Sequence, residues 1–214
     1  MRTTSTSSRK RLPRAEQVEQ NRAAVLAAAG RVFREHGYTR ASLDAIAEEA
    51  GFSKGVIYSQ FASKADLFIT LLEQRIEARA QTQRETVLTF AAAGESNRFI
   101  AAILAVSRAD PQWQLAVLEF RIAAARDPEL NARYARAHQR TIDGIAATLR
   151  TLFAARGAEP DIPVETLAVA GMTFDAGALL EDLALPGSMS ESQAAVLLGR
   201  LLDVAAVAEP PTCI

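Results

Sequence analysis

Apolar side chains recur along this chain three and four residues apart, the spacing of one face of an α-helix rather than of a strand. Val25, Ala28, Ala29, Val32 and Phe33 form a first stripe, predicting a helix over 16–36 that ends at Gly37. Ser42 then offers a side-chain acceptor ahead of Leu43, Ile46, Ala47 and Ala50, a two-turn helix that Gly51 stops. Phe52 follows as a plug between neighbours, and Ser53 is placed to cap a further helix over 54–60. That helix turns Ile57 and Phe61 inward and leaves Lys54, Gly55, Val56, Ser59 and Gln60 free to face something else. Ser63 with Asp66 is a capping-box spacing, and Leu67, Phe68, Leu71 and Leu72 open the next stripe. Beyond it the pattern predicts helices over 64–92, 97–107, 112–126, 128–156, 163–185 and 190–208. Pro111, Pro128 and Pro163 stand at or near helix starts, while Gly94, Gly157 and Pro186-Gly187 follow helix ends. The expected fold class is all-α.

Two short helices about a glycine turn make a helix-turn-helix. In this one the second helix is nearly all surface. Lys54, Tyr58 and, at the next helix start, Lys64 ring its exposed face, and cations and hydroxyls of this kind hold phosphate oxygens. The run K-G-V-I-Y-S-Q-F-A-S-K-A-D-L-F, preceded by A-I-A-E-E-A-G-F-S, resembles the DNA-binding signature of the tetracycline-repressor (TetR) family of bacterial transcriptional regulators. The resemblance is strong from about residue 21 to 72 and elsewhere rests on length and helical content alone. It implies a DNA-binding face made by Ser42, Ser53, Lys54, Gly55, Val56, Tyr58, Ser59, Gln60 and Lys64. Ser42, Lys54, Tyr58 and Lys64 would take the backbone, Gly55 would permit close approach, and Val56 would touch a thymine methyl. Many family members carry two aromatics, or an aromatic and a histidine, after the tyrosine of the recognition helix; here Ser59 and Gln60 stand there. Gln60 has the groups to pair with adenine in a major groove, so the operator sequence stays open.

Charge sharpens the division of the chain. Residues 1–64 hold 11 Lys/Arg against 6 Asp/Glu, whereas 65–214 hold 13 against 19, so one end attracts polyanions and the other does not. The first fourteen residues contain five cations, no acid and almost no apolar side chain, the composition of a disordered arm. Such an arm either follows phosphates or a minor groove or merely solubilises the chain. The expected organisation is a basic arm over 1–15, a helix-turn-helix DNA-binding domain over 16–63, and a helical effector-binding and dimerisation domain over 64–209. Cys213 is the single cysteine and cannot close an internal disulfide, which fits a reducing cytoplasm. The apolar run 164–180 contains Glu165 and Asp175 and is too short for a membrane span. His36 stands where a cation complements a helix C-terminus, and His138 has no Cys or His partner at ligand spacing, so no metal site is expected. No nucleophile-and-base arrangement and no cofactor motif is present; an enzyme finds no support.

Two groups of residues in the second part admit functional readings. Leu167, Ala170, Gly171, Phe174 and Ala178 on one helix, with Leu197, Leu198, Leu201, Leu202 and Ala205 on the next, mix small and large side chains in a way that permits close packing. The family resemblance implies a four-helix dimer seam there, the set being Leu167, Gly171, Phe174, Ala178, Leu198, Leu201 and Leu202; ordinary intrachain core is the alternative. The large side chains Phe90, Phe99, Ile103, Trp113, Val117, Phe120, Met172 and Phe174 would in most helical proteins be core. By resemblance, Phe99, Ile103, Trp113, Val117, Phe120, Met172 and Phe174 are candidates for the wall of a small-molecule pocket. Glu119 and Arg121 are two apart on a helix and point in different directions.

The function expected from this reading is a homodimeric repressor released from a palindromic double-stranded operator by a small apolar or amphipathic effector. The alternative is a DNA-binding regulator or organiser governed by a protein partner or by abundance. Deleting residues 1–14 should leave the melting temperature unchanged and weaken DNA binding at low salt, since five cations leave the encounter complex. Titration of the truncated protein at two ionic strengths checks this, and an unchanged low-salt affinity would make the arm a passive tail.

Overall fold

The computed structural model describes residues 13–91 and 96–208, with side chains outside 83–99, 107, 204 and 206–208. Residues 1–12 of the basic arm, Cys213 and the side chains of Phe90 and Phe99 lie outside the described residues, while Arg14 and Ala15, expected in the arm, already belong to the first helix. Helices follow one another as α1 (Arg14–Arg40), α2 (Leu43–Ala50), α3 (Lys54–Tyr58), α4 (Lys64–Ala91), α5 (Ser96–Arg108), α6 (Pro111–Ala125) and α7 (Pro128–Ala155), then α8 (Val164–Ala184) and α9 (Glu191–Val204). The all-α expectation holds, with one addition. Strands β1 (Ala158–Pro160) and β2 (Ala206–Ala208) pair antiparallel, Ala158 opposite Ala208. The sequence pattern carries the last helix through 208, yet it stops at Val204. Three residues hold no period to read, and the partner strand lies far away in sequence.

Local chemistry explains most boundaries. The Ser42 hydroxyl accepts from the Ala45 amide at 3.1 Å, and Gly51 ends α2 with φ of 70°. Phe52 N–H then reaches back to the Ala47 carbonyl at 3.0 Å, the long bond of a Schellman turn. Asp110 and Asp127 cap α6 and α7, each ahead of a proline in the first turn. Ser190 and Gln193 form a full capping box at α9. At α4 the Ser63 hydroxyl accepts from Asp66 N–H at 3.1 Å, while the Asp66 carboxylate takes the amide of Ala62 rather than that of Ser63. Ser53 departs from expectation. Its backbone is extended as an N-cap requires, but the hydroxyl makes no cap bond, and α3 is held by Val56 N–H to Ser53 O at 3.0 Å and by the buried Ile57.

The principal core is one continuous cluster. Val25, Phe33, Ile46, Ile57 and Phe68 of the first four helices, with Phe61 from the turn between α3 and α4, share it with Trp113 and Phe120 of α6 and Tyr134 of α7. A domain boundary at 63/64 therefore crosses packed side chains. Phe68 is its hub: its ring lies 4.9 Å from Phe33 and 5.1 Å from Tyr38 edge-on, and stacks at 5.1 Å on Trp113 and 4.5 Å on Phe120. Smaller clusters join Ile100, Leu104 and Leu152 to Ala194 and Ala195, and Leu149 and Phe153 to Val164 and Ala168. Truncating Phe68 to Ala should cost about 3–5 kcal/mol, the range for a buried aromatic whose site collapses incompletely. Urea denaturation followed by Trp113 emission reads this directly, since the indole loses its stacking partner; a loss below about 1 kcal/mol, the scale of an ordinary substitution, would remove Phe68 from the role of hub.

Candidate nucleic-acid interface and the adjoining cavity

The helix-turn-helix presents one polar face. Ser42, Ser53, Lys54, Gly55, Tyr58 and Ser59 are exposed and Val56 is half-buried, while Ile57 and Phe61 anchor the face to the core. Ser42 accepts its cap bond through a lone pair and keeps its O–H for another acceptor. Lys54 places its ammonium 2.5 Å from Asp44, whose hydrogen bond raises the lysine pKa. Tyr58 is 57% exposed, unusual for so large a ring. Gly55 has a negative φ, and an added Cβ would meet only Ser53 Oγ at 3.8 Å. Nothing inside the protein demands a glycine there, so the missing side chain clears the outer face.

Two residues expected on that face are turned to other work. Lys64 donates to the carbonyls of Tyr38 at 2.8 Å, Thr39 at 3.1 Å and Ala41 at 2.8 Å, with the ammonium 4.6 Å from the Tyr38 ring centre. All three protons are engaged, and burial lowers the pKa, so Lys64 staples the end of α1 instead of reaching for a phosphate. Gln60 is half-buried, its side-chain oxygen is buried without a hydrogen-bond partner, and its carbonyl accepts from Arg22 at 3.5 Å. A side chain oriented that way does not read a base edge. The sequence pattern missed both because a lysine at a helix start and a glutamine at a helix end look the same whether they face water or a neighbouring backbone.

Helices α4 to α9 line a partly open cavity of about 290 Å³. Trp113, Ile103, Val117 and Met172 line it as expected, along with Leu72, Ile76, Leu118, Ile145 and Leu149. Phe120 does not: it is fully buried at the aromatic hub. Phe174 packs with Ile100, Leu104 and Leu152 instead of facing the cavity. Residues proposed for a dimer seam separate as well. Leu167, Gly171, Leu198 and Leu202 line the cavity, and Ala178 is buried within the chain, because each projects from the inner side of its helix. The outer side of α8 and α9 exposes a different apolar set, Val169, Leu180, Leu183, Val196 and Leu197, while Leu201, 58% exposed, stands at the rim of the cavity. Spacing alone cannot choose between two apolar faces of one helix.

Polar contacts join the cavity wall to the helix-turn-helix. Asp110 caps Trp113 N–H and binds Arg75 at 3.1 Å and Arg34 of α1 at 3.5 Å. Arg75 also lies over the Trp113 ring, 4.2 Å from its centre. Hydrogen bonds to the charged form and the two arginines hold the Asp110 pKa below its ordinary value despite desolvation, which is the largest single influence and acts upward. Glu119 of α6 accepts from Thr39 N–H at 2.8 Å, directly under Gly37, where φ is 71° and an added Cβ would stand 2.4 Å from the carboxylate. Gly37 is thus fixed twice, by its backbone and by this approach. On the far side of the cluster Tyr134 stacks on His138, with its hydroxyl 3.3 Å from Nδ1; burial and then Arg121 lower the histidine pKa and keep it neutral. Among the described residues no cluster of His, Cys, Asp or Glu could hold a metal, and no helix is long and apolar enough to cross a membrane.

A capped helix-turn-helix with an exposed cationic and phenolic face, mounted on a helical body, defines a DNA-binding regulator. Residues 25–71 match the model of the bacterial regulatory proteins of the tetR family, so the helix-turn-helix segment is of the tetR type. Over 79 residues, 37% of its length, the chain is 38% identical to the HTH-type transcriptional activator FasR of Mycolicibacterium smegmatis, and that match spans only 34% of FasR. The HTH-type transcriptional repressor AcnR of Corynebacterium efficiens is 28% identical over 151 residues, 69% of the chain and 73% of AcnR. In fold, a transcriptional regulator from Saccharomonospora viridis solved in complex with choline superposes with a TM-score of 0.69 at 22% identity, covering 88% of this chain and 98% of that one.

Lys54 and Lys64 should behave oppositely. Lys54→Ala should leave stability within about 0.5 kcal/mol, as exposed positions do, and lower the slope of log affinity against log salt by about one unit. Lys64→Ala should cost about 1–3 kcal/mol, because part-buried carbonyls lose their donor, with the slope unchanged. Chemical denaturation and DNA titrations across a salt series on both variants check this pair. A reduced slope with intact stability for Lys64→Ala would return that residue to the DNA interface.

Proposed function

We propose that the chain is a ligand-responsive repressor that binds a palindromic operator as a homodimer and is released from it by a small apolar or amphipathic effector, in the cytoplasm. The carrying observation is the cavity whose wall residue Trp113 stacks on Phe68 of the shared core, while Arg75, over the same indole, meets Arg34 of α1 through Asp110. The complex of the Saccharomonospora viridis regulator with choline and the repressor role of AcnR support the same reading. Ser42, Ser53, Lys54, Gly55, Val56, Tyr58 and Ser59 form the DNA face. A single face of this size reads few base pairs, and two-fold symmetry supplies the second half-site.

The exposed apolar side chains of α8 and α9 provide the dimer seam. An effector shifts the protein only through differential affinity for two arrangements of the heads. Expansion of the cavity moves α4 and α6, and with them α1, because Phe68, Asp110 and Glu119 leave no slack between the parts.

An amphipathic panel tests the reading. At about a hundred times its dissociation constant an effector adds about 2.7 kcal/mol of stability, and the compound that raises the melting temperature should also release DNA. A panel in which nothing does either would favour control by a protein partner. Leu197→Glu should leave the monomer folded, because the side chain is exposed within one chain and does not line the cavity, yet give a monomer on sedimentation with weakened operator binding. A dimer of unchanged operator affinity would place the seam elsewhere.

A further inference from the structure

The cavity is apolar in most of its lining but not neutral in charge. Arg75, Arg79, Arg121 and Arg140 reach its wall against one carboxylate, that of Asp175. Three of these five groups are already engaged: Arg75 with Asp110, Arg140 with Glu73, and Asp175 with Arg108 at 3.3 Å. Arg79 and Arg121 have no ion pair among the described residues.

Arg79 stands one turn after Arg75 on α4, so the two guanidinium groups share a face and repel each other. Burial and then the charge of Arg75 depress the Arg79 pKa, opposed only at longer range by Asp175 and Asp110. A second observation points to the same place. The Nη2 donor of Arg108, whose Nε meets the cavity-wall carboxylate of Asp175 from behind the lining, is buried with no hydrogen-bond partner. Desolvated cations and an idle donor beside an apolar chamber are costly in the empty protein, and an anion arriving there offsets that cost.

Resting on the effector reading above, we infer that the cavity takes an amphipathic molecule with a compact oxyanionic head, carboxylate or phosphate, anchored by Arg79 with its apolar body among Ile103, Val117, Leu149 and Met172. The planar guanidinium matches both heads through paired N–H donors. The cavity volume of about 290 Å³ suits a short-chain or single-ring body. Arg75 is less suited to the anchoring role, being held by Asp110 and by the face of Trp113.

Four probes with one tail and different heads test the inference: octanoate, octyl phosphate, octanol and octyltrimethylammonium, titrated against the intact protein by Trp113 emission and melting temperature. At least one anion should bind about tenfold or more tighter than octanol, the discrimination of one good charge-assisted pair, and the cation weakest of all. Which anion leads identifies the head. Arg79→Met, which keeps the bulk of the side chain, should abolish the preference while leaving octanol binding unchanged, and Arg79→Lys should retain it. Should Arg79→Met prove unfolded by circular dichroism, the wild-type series and Arg79→Lys still decide. Octanol or the cation binding the wild type as tightly as the anions would overturn the inference and leave the effector reading standing. So would an anion preference that survives in folded Arg79→Met. Silence from all four probes overturns the inference, and silence from the broader panel as well removes the effector reading with it.

Discussion

Phe68 touches four aromatic rings drawn from two helices, and its position decides how the chain's parts are connected. Phe33 and Tyr38 belong to α1, which supports the helix-turn-helix, while Trp113 and Phe120 belong to α6, which walls the cavity. Interiors of this kind pack like crystals, so a displacement on one side of the ring is passed on rather than absorbed. The hub joins the helix-turn-helix to the cavity wall without a linker. That is also why a boundary drawn at residue 63 or 64 has charge and motif on its side but no gap in the packing.

Polar contacts set the direction in which that core can yield. Asp110 and Glu119 both belong to the α6 region and both hold α1, one through Arg34 and the other through the Thr39 amide. Lys64 adds a third tie by gathering the carbonyls that the break at Gly37 leaves open. The end of α1 is therefore fixed by charges on α4 and α6 rather than by its own hydrogen bonds. A molecule that competes for Arg75, or spreads α4 from α6, acts on these ties first.

Charge is distributed differently on the two functional surfaces. At the DNA face Lys54 is exposed and paired with Asp44, so its contribution is long-range and sensitive to salt. In the cavity Arg79 is partly shielded from water and lacks a close counter-charge, so the same unit of charge carries a larger and more specific influence. One composition, nearly neutral overall, thus sets an exposed, paired lysine on one surface and a partly shielded arginine in the cavity wall on another.

The helices, their caps at Ser42, Gly51 and Ser63, and the helix-turn-helix itself were legible in the sequence, because capping and 3.6-residue periodicity act over a few neighbouring residues. The polar set Ser42, Ser53, Lys54, Gly55, Tyr58 and Ser59 was legible for the same reason: a five-residue helix anchored by Ile57 leaves it no other face. Which apolar side chain entered the aromatic hub, the cavity or the outer surface was not legible. Phe120, Trp113 and Leu197 satisfy the same periodicity and differ only in which helix stands opposite. The diversion of Lys64 and Gln60 inward, the grip of Glu119 on Gly37 and the two-strand ribbon were likewise decided by partners more than twenty residues away. A sequence determines what each short segment prefers; only the packed chain determines which distant groups compete for the same proton, carbonyl or space.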